Sequence, residues 1–175
     1  FDYGQGPVRV VWGPQEDYFS QRGRETFTGA EYRVSKEADR MGIRFEGPVI
    51  EHATSVDKGG ADIISDGIAP GSIQVPGAGQ PIVLFADRQT TGGYPKIATV
   101  ISADLGFLAR CRPGATVRFE RTDLEGAAVA RRALAEKLAR LQASLAPARA
   151  SVSLDSAHLL AHNLVDGVTD ALAEP

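Results

Sequence analysis

The stretch PIVLFADRQTTGGYPKIATVIS, residues 81–102, places a dense polar segment between two apolar runs. The runs PIVLFA (81–86) and IATVIS (97–102) are short and rich in β-branched residues, which is the pattern of buried strands. Similar runs recur along the chain with glycine and proline turn signals between them: VRVVW (8–12), YRVS (32–35), GIRF (42–45), ADIIS (61–65), SIQV (72–75) and TVRFE (116–120). Many short strands at this spacing predict a mainly β fold, either a barrel or a sandwich.

Two helical segments are expected inside this β-rich region. QEDYFSQRGRETF (15–27) follows a Gly-Pro pair and carries acidic residues in its first turn, and ADLGFLARC (103–111) follows a serine. The composition changes after residue 121. We therefore predict a barrel domain over residues 1–121 and a helical C-terminal extension over residues 122–175.

The extension is expected to be an α-helical hairpin. A leucine repeat at intervals of four, three and four residues marks one face of its first helix, and consists of Leu134, Leu138, Leu141 and Leu145. Thr122 and Glu125 fit a capping box at the start of that helix. Pro147 interrupts the pattern, and a second helix is expected from Ser153.

Bulk properties exclude several classes of protein. The chain has 175 residues with 43% hydrophobic and 23% charged residues and a formal net charge of −3, which is typical of a globular protein and argues against general nucleic-acid or membrane-surface binding.

Cys111 is the one cysteine, so an intramolecular disulfide is excluded and a reducing, cytoplasmic location is expected. The histidines and this cysteine show no zinc-site spacing, so no metal site is predicted. Because the sequence starts FDYGQGP without methionine, we expect a piece of a longer polypeptide or a processed product.

The polar segment has two interpretations. In the first it is a hairpin loop whose side chains bond the local backbone and whose glycines supply positive φ. In the second it is a ligand-binding loop, because two hydroxyls precede two glycines, a composition that lets backbone N–H groups converge on an anion. The residues of interest are Asp87, Arg88, Gln89, Thr90, Thr91, Gly92, Gly93, Tyr94 and Lys96.

Two residues outside this segment are secondary candidates. Arg40 follows Asp39 before a predicted strand, and it either forms an ion pair with Asp39 that fixes a turn or binds an anionic substrate group. Gln74 alternates with Ile73 and Val75 in a predicted strand, so it points to the opposite face and is expected to line an interior cavity. Neither a P-loop nor a dinucleotide-binding Gly-x-Gly-x-x-Gly helix start is present in the sequence.

The segment SDGIAPGSIQVPGAGQPIVLFADRQTTGGYPKIATVISADL (65–105) resembles the biotin-dependent carboxyltransferase-like family. GPQEDYF (13–19), ADRMGIRFEGPVIEH (38–52) and CRPG (111–114) fit the same pattern, so the resemblance covers about residues 7–120. That family includes the allophanate hydrolase subunit 2 proteins, the C subunit of 5-oxoprolinase, the Kip-type antagonist and the carboxyltransferase region of urea carboxylase. The resemblance implies a cyclophilin-like β-barrel, and this chain would be the second of the two halves that members usually carry, with the first half missing.

The resemblance implies a component, similar to the C subunit, of an ATP-dependent 5-oxoprolinase complex. Its partners would be a protein like the B subunit of such a complex, a metal-dependent protein like its A subunit, the missing first half and a small amide substrate, with ATP used in the complex. Biotin would come only from another domain, because the one methionine, Met41, is followed by glycine rather than by a biotin-carrying lysine. The alternatives are a carboxyltransferase half that moves a carboxyl group from carboxybiotin to urea, and a non-catalytic regulatory module of the Kip-antagonist type.

The site residues follow from the polar segment together with the resemblance. The predicted catalytic residues are Lys96, Asp87 and Tyr94. The predicted substrate-binding residues are Gln89, Thr90, Thr91, Gly92, Gly93, Arg40 and Gln74.

Overall fold

The computed structural model of the protein describes residues 6–54 and 62–145. The strands are β1 (Val8–Trp12), β2 (Glu31–Ala38), β3 (Gly42–Glu46), β4 (Asp66–Gly67), β5 (Ser72–Gln74), β6 (Ile82–Leu84), β7 (Thr91–Gly92), β8 (Lys96–Val100) and β9 (Thr116–Arg121). The helices are a 3₁₀ turn (Glu16–Tyr18), α1 (Gln21–Gly29), α2 (Leu105–Leu108) and α3 (Leu124–Ser144).

Seven of these strands form a closed barrel in the order β1-β8-β5-β6-β3-β2-β9. The barrel closes where β1 and β9 pair in parallel, with Val8 opposite Phe119, whereas the other neighbouring strands are antiparallel. Closure removes the exposed edges that an open sheet would present. β4 and β7 pair with each other and, over the described residues, form a separate two-stranded ribbon. The mainly β barrel expected from the sequence is confirmed.

Aromatic rings fill the centre of the barrel. Phe119 from β9 stacks on Phe27 from α1 at a centroid distance of 4.9 Å, and it meets the edge of Phe45 from β3 at 5.5 Å. Tyr32 from β2 lies 5.9 Å from the same ring, and burial raises the pKa of Tyr32 to about 12. These contacts join the helix to three strands, so α1 belongs to the core of the barrel.

Two local predictions were wrong. ADIIS (61–65) forms no strand over its described residues, and Ile64 is 94% exposed. The helix predicted over 15–27 is interrupted at Phe19, which bridges to His52. A new helix, α1, then begins behind Ser20, whose Oγ accepts the Gly23 N–H at 2.9 Å and so caps the first turn.

The C-terminal helix α3 is present, but its cap differs from the prediction. Asp123, rather than Thr122, accepts the Gly126 N–H, through Oδ1 at 2.7 Å. Internal contacts divide the chain into two compact units between Lys137 and Leu138, within α3. The domain boundary after residue 121 stays a prediction, and the second helix of the hairpin falls outside the described residues. None of the described helices has the length and apolarity needed to cross a membrane.

Candidate functional site

The polar segment at 86–97 folds back on β4 to make the two-stranded ribbon. In its ladder Asp66 lies opposite Gly92 and Gly67 lies opposite Thr91. The pairing extends at both ends, where the Ile68 N–H donates to the Thr90 carbonyl at 2.9 Å and the Ile63 N–H donates to the Gly93 carbonyl at 2.7 Å. The segment is therefore an ordered strand pair attached to the barrel rather than a simple hairpin loop.

Gly92 permits a close approach between the ribbon and the barrel. A Cβ at this position would lie 2.8 Å from Gln74 Nε2 and 2.8 Å from Ile68 Cδ1, closer than such atoms pack. Neither Gly92 nor Gly93 has positive φ, so the hairpin-loop interpretation is wrong in assigning positive φ to this pair. The glycine at 92 is needed because it lets the ribbon backbone rest directly on the Gln74 side chain.

Three predicted site residues, Gln74, Gln89 and Tyr94, line one cavity of about 400 Å³. Gln74 is only 2% exposed and lies at the buried end, with Nε2 3.5 Å from the Tyr94 carbonyl. The remaining wall comes from β2, β3, the turn between them and β6, and consists of Lys36, Glu37, Ala38, Asp39, Met41, Gly42, Arg44, Ile82 and Leu84. The cavity thus has a buried amide at one end and charged groups along one wall.

Most of the charges on that wall are already paired. Arg44 Nε lies 3.1 Å from Glu37 Oε2, and Asp39 Oδ1 accepts the backbone N–H groups of the turn between β2 and β3. Lys36 differs, because no carboxylate in residues 6–54 and 62–145 lies within ion-pair distance of its ammonium. Its positive charge is therefore available to an anionic group in the cavity.

Lys96 opens β8 beside the cavity, but its side chain is 3% exposed and bonds to the ribbon. Its Nζ lies 2.9 Å from Asp66 Oδ2, and this hydrogen bond, followed by one from Gln15, holds the pKa of Asp66 below its usual value. Gln15 clamps both partners, since its Nε2 donates to Asp66 Oδ2 at 3.1 Å and its Oε1 accepts the Lys96 N–H at 3.2 Å. We refer to these three residues as the Gln15–Asp66–Lys96 cluster.

Sequence reasoning missed two members of this cluster. Asp66 precedes a glycine, which is a turn signature, and Gln15 lies at the start of a predicted helix. The two side chains are 51 residues apart in sequence, so no local pattern connects them.

Arg40 and Asp87 form a separate pair. Arg40 Nε lies 2.7 Å from Asp87 Oδ2 and its Nη2 donates to Asp87 Oδ1 at 3.1 Å, while the Arg40 side chain stays 83% exposed. Arg40 lines a neighbouring, more apolar cavity of about 460 Å³ that also contains Cys111. The structure therefore does not place Arg40 and Asp87 on the Gln74 cavity. Thr90 and Thr91 are exposed on the ribbon.

Comparison with known proteins gives one family match and several relatives. The family model for the carboxyltransferase domain, subdomain A and B, matches residues 2–121. The C subunit of 5-oxoprolinase from Haemophilus influenzae is 46% identical over 125 residues, which cover 71% of this chain and 39% of that protein. The C subunit of 5-oxoprolinase from Escherichia coli is 38% identical over 124 residues, which cover 71% of this chain and 38% of that protein. The chain thus spans well under half the length of both.

The crystal structure of the Kluyveromyces lactis urea carboxylase matches with a TM-score of 0.70 at 22% identity. The match covers 75% of this chain and 12% of that one. At this identity the likeness shows a shared barrel fold.

Proposed function

Because this chain belongs to the carboxyltransferase domain family and is similar to the C subunits of two 5-oxoprolinases, we propose that it takes the place of the C subunit in an ATP-dependent 5-oxoprolinase complex. In this role it helps to open 5-oxoproline, a small cyclic amide, to glutamate. The observation that carries the proposal is the cavity lined by both the buried Gln74 and Lys36, whose ammonium has no carboxylate partner among the described residues.

The cavity suits a small amide that also bears a carboxylate. A ring amide presents one carbonyl acceptor and one N–H donor, and the side chain of Gln74 has the complementary donor and acceptor. Because Gln74 is buried, a ligand that leaves its amide unpaired binds at a cost, which favours amide substrates. Lys36 would bind the carboxylate by a charge-assisted hydrogen bond.

The other predicted residues take different parts in this proposal. Gln89 and Tyr94 line the same cavity and would contact the substrate. Lys96 would act through Asp66 rather than by touching the substrate, because its ammonium is buried against that carboxylate. Thr90, Thr91, Arg40 and Asp87 stay predictions for substrate binding or catalysis by surfaces beside the cavity.

The nucleotide would be bound elsewhere in the complex, since the chain lacks a P-loop. We propose two partner proteins, one like the B subunit of such a complex and one, metal-dependent, like its A subunit. This chain then contributes the wall that binds and orients the amide. Preorganised donors at the place where charge develops on an amide oxygen are usually the largest single source of rate acceleration in such reactions.

Reconstitution tests the proposal. The chain is mixed with the two proposed partner proteins and with any further carboxyltransferase-family domain, such as the missing first half, that is encoded near it. ATP and 5-oxoproline are supplied, and glutamate is measured. Glutamate should form only when this chain is present, and the Lys36→Met variant should raise the KM for 5-oxoproline. Arg33→Met, an exposed change in the same strand that lines none of the cavities described above, is the matched control. Glutamate formation that is independent of this chain would refute the proposal.

Carboxyl transfer to urea is the second candidate, and the carboxyltransferase family description favours it. The same Gln74 amide would then face urea, and biotin would be supplied by another domain. Biotin-dependent carboxylation of urea by the reconstituted mixture, together with no glutamate from 5-oxoproline, would select this candidate.

A further inference from the structure

We propose that Asp66 and Lys96 are positioning residues whose ion pair holds the β4–β7 ribbon against Gln74 and so fixes the amide end of the cavity. The proposal deepens the proposed function and rests on it for the turnover measurement. Its structural part concerns only contacts within this chain and is tested without any reaction.

The burial of Lys96 gives the pair its strength. The Lys96 side chain is 3% exposed and that of Asp66 is 50% exposed, so a buried cation depends on a half-exposed carboxylate for its counter-charge. Asp66 Oδ2, at 2.9 Å, is the carboxylate that meets it among the described residues. The geometry is held further by Gln15, whose amide bonds the Asp66 side chain and the Lys96 backbone together.

Four residues at the end of the cavity contact one another in turn: Lys96, Asp66, Gly92 and Gln74. Lys96 binds Asp66 through the side chains, and Asp66 lies opposite Gly92 in the ribbon ladder. Gly92 rests on the Gln74 amide, and Gln74 lies opposite Lys96 in the β5–β8 ladder of the barrel. That ladder shifts register between Ile73 and Gln74, and such irregularities re-aim side chains beside functional sites. The position of each of these four residues is thus restrained by its contact with the following one, and Gln74 in turn contacts Lys96.

The ribbon is too short to hold this arrangement alone. Its ladder has two register pairs, and a two-stranded unit of that size is marginal without packing against something larger. Among the described residues, its ties to the barrel include the side chain of Ile68, which is 6% exposed, the Gln15 Nε2 hydrogen bond to Asp66 Oδ2 at 3.1 Å, and the ion pair. Loss of the pair should therefore release Gly92 from Gln74 while the barrel stays folded.

Three variants test the proposal: Asp66→Asn, Lys96→Met and the double variant. Asp66→Asn leaves the Lys96 ammonium buried without a counter-charge, so the melting temperature of this variant should lie below that of the wild type. The double variant removes both charges, so its melting temperature should return most of the way to the wild-type value. Hydrogen exchange at the Ile68 and Ile63 amides should be faster by about tenfold or more in all three variants, because local opening no longer breaks the pair. In the reconstituted complex, the KM for 5-oxoproline should rise in all three while the KM for ATP stays unchanged.

The double variant decides between positioning and simple charge neutralisation. If it regains slow exchange at both ribbon amides together with the wild-type melting temperature, the pair only neutralises a buried charge and the proposal is overturned. Arg118→Met, which breaks the exposed pair with Glu31 at 2.7 Å, is the matched control and should leave the ribbon amides unchanged. If the wild-type complex makes no glutamate, the proposed function fails, and hydrogen exchange still decides this inference.

Discussion

Replacing Gly92 with alanine tests the contact between the ribbon and the cavity. The added Cβ would lie 2.8 Å from Gln74 Nε2 and 2.8 Å from Ile68 Cδ1, whereas ordinary contact begins at 3.4 Å. Both atoms must therefore move by about 0.6 Å. They are the ends of flexible side chains, so the free energy of unfolding should fall by about 1 kcal/mol, the lower end for an overpacked site. For a chain of this size, that change lowers the melting temperature by about 2–4 °C.

The functional effect of Gly92→Ala should exceed the effect on stability. Because Gln74 is buried and lines the cavity, a shift away from residue 92 alters the amide end of the cavity where the substrate would bind. A misplacement of about 1 Å can lower the rate of a positioned reaction about 10²-fold, so for this smaller shift we expect kcat/KM for 5-oxoproline to fall roughly tenfold, with a higher KM. Thermal denaturation and the glutamate assay measure the two effects.

Gly67→Ala is the matched control, because Gly67 lies in the same ribbon and a Cβ there meets nothing within 4 Å. Its melting temperature should equal that of the wild type. If both variants behave alike in stability and in KM, the contact between Gly92 and Gln74 does not shape the cavity, and the reasoning is refuted.

Four further outcomes are expected. Phe119→Ala should lower the free energy of unfolding in urea by about 3–5 kcal/mol, because its buried ring stacks on Phe27, and a loss under about 1 kcal/mol would contradict this core. Gln74→Leu keeps the volume but not the amide, so glutamate formation should fall while the urea midpoint stays close to that of the wild type, and undiminished turnover would remove Gln74 from the site. Bonding to Lys96 lowers the pKa of Asp66 below its ordinary 3.8, so the stabilisation from this carboxylate is complete above pH 3.8 and is lost as the pH falls through the lowered pKa. Urea midpoints measured from about pH 6 to about pH 2 should therefore fall more steeply for the wild type than for Asp66→Asn. Parallel curves would contradict the pairing. Burial raises the pKa of Cys111, so iodoacetamide should alkylate the native thiol slowly at neutral pH and the urea-unfolded thiol quickly, and equal rates would contradict its burial.

Strand positions could be read from the sequence wherever alternation and turn residues agreed. VRVVW coincides with β1, and TVRFE differs from β9 by a single residue, because each carries an unbroken β-type run with a clear end. ADIIS carries the same kind of residues but forms no strand over its described part. Over that described part, its ladder-like contact is the Ile63 N–H bond to the Gly93 carbonyl, a non-local pairing that no local pattern reports.

Of the candidate site, the sequence predicted the direction of individual side chains but not the contacts between distant residues. Alternation in β5 was enough to assign Gln74 to an interior cavity, because side-chain direction in a strand is a local property. The partner of Lys96 could not be found this way, since Asp66 is 30 residues distant and reaches it only after the ribbon has folded. Lys36 was also missed, because its interest comes from lacking a carboxylate partner among the described residues, and that is visible only in three dimensions.

The parallel contact between β1 and β9 also governs when the protein can fold. The barrel can close only after Phe119 of β9 has been synthesised and pairs with Val8 of β1. During synthesis, β1 therefore leaves the ribosome long before β9 exists. The entropic cost of joining such distant segments must be met before the contacts between them contribute, and topologies of this type fold in roughly milliseconds to seconds. Until β9 emerges, both the β1 and β2 edges that it will cover remain open to other chains, which makes this interval the period of greatest exposure to aggregation.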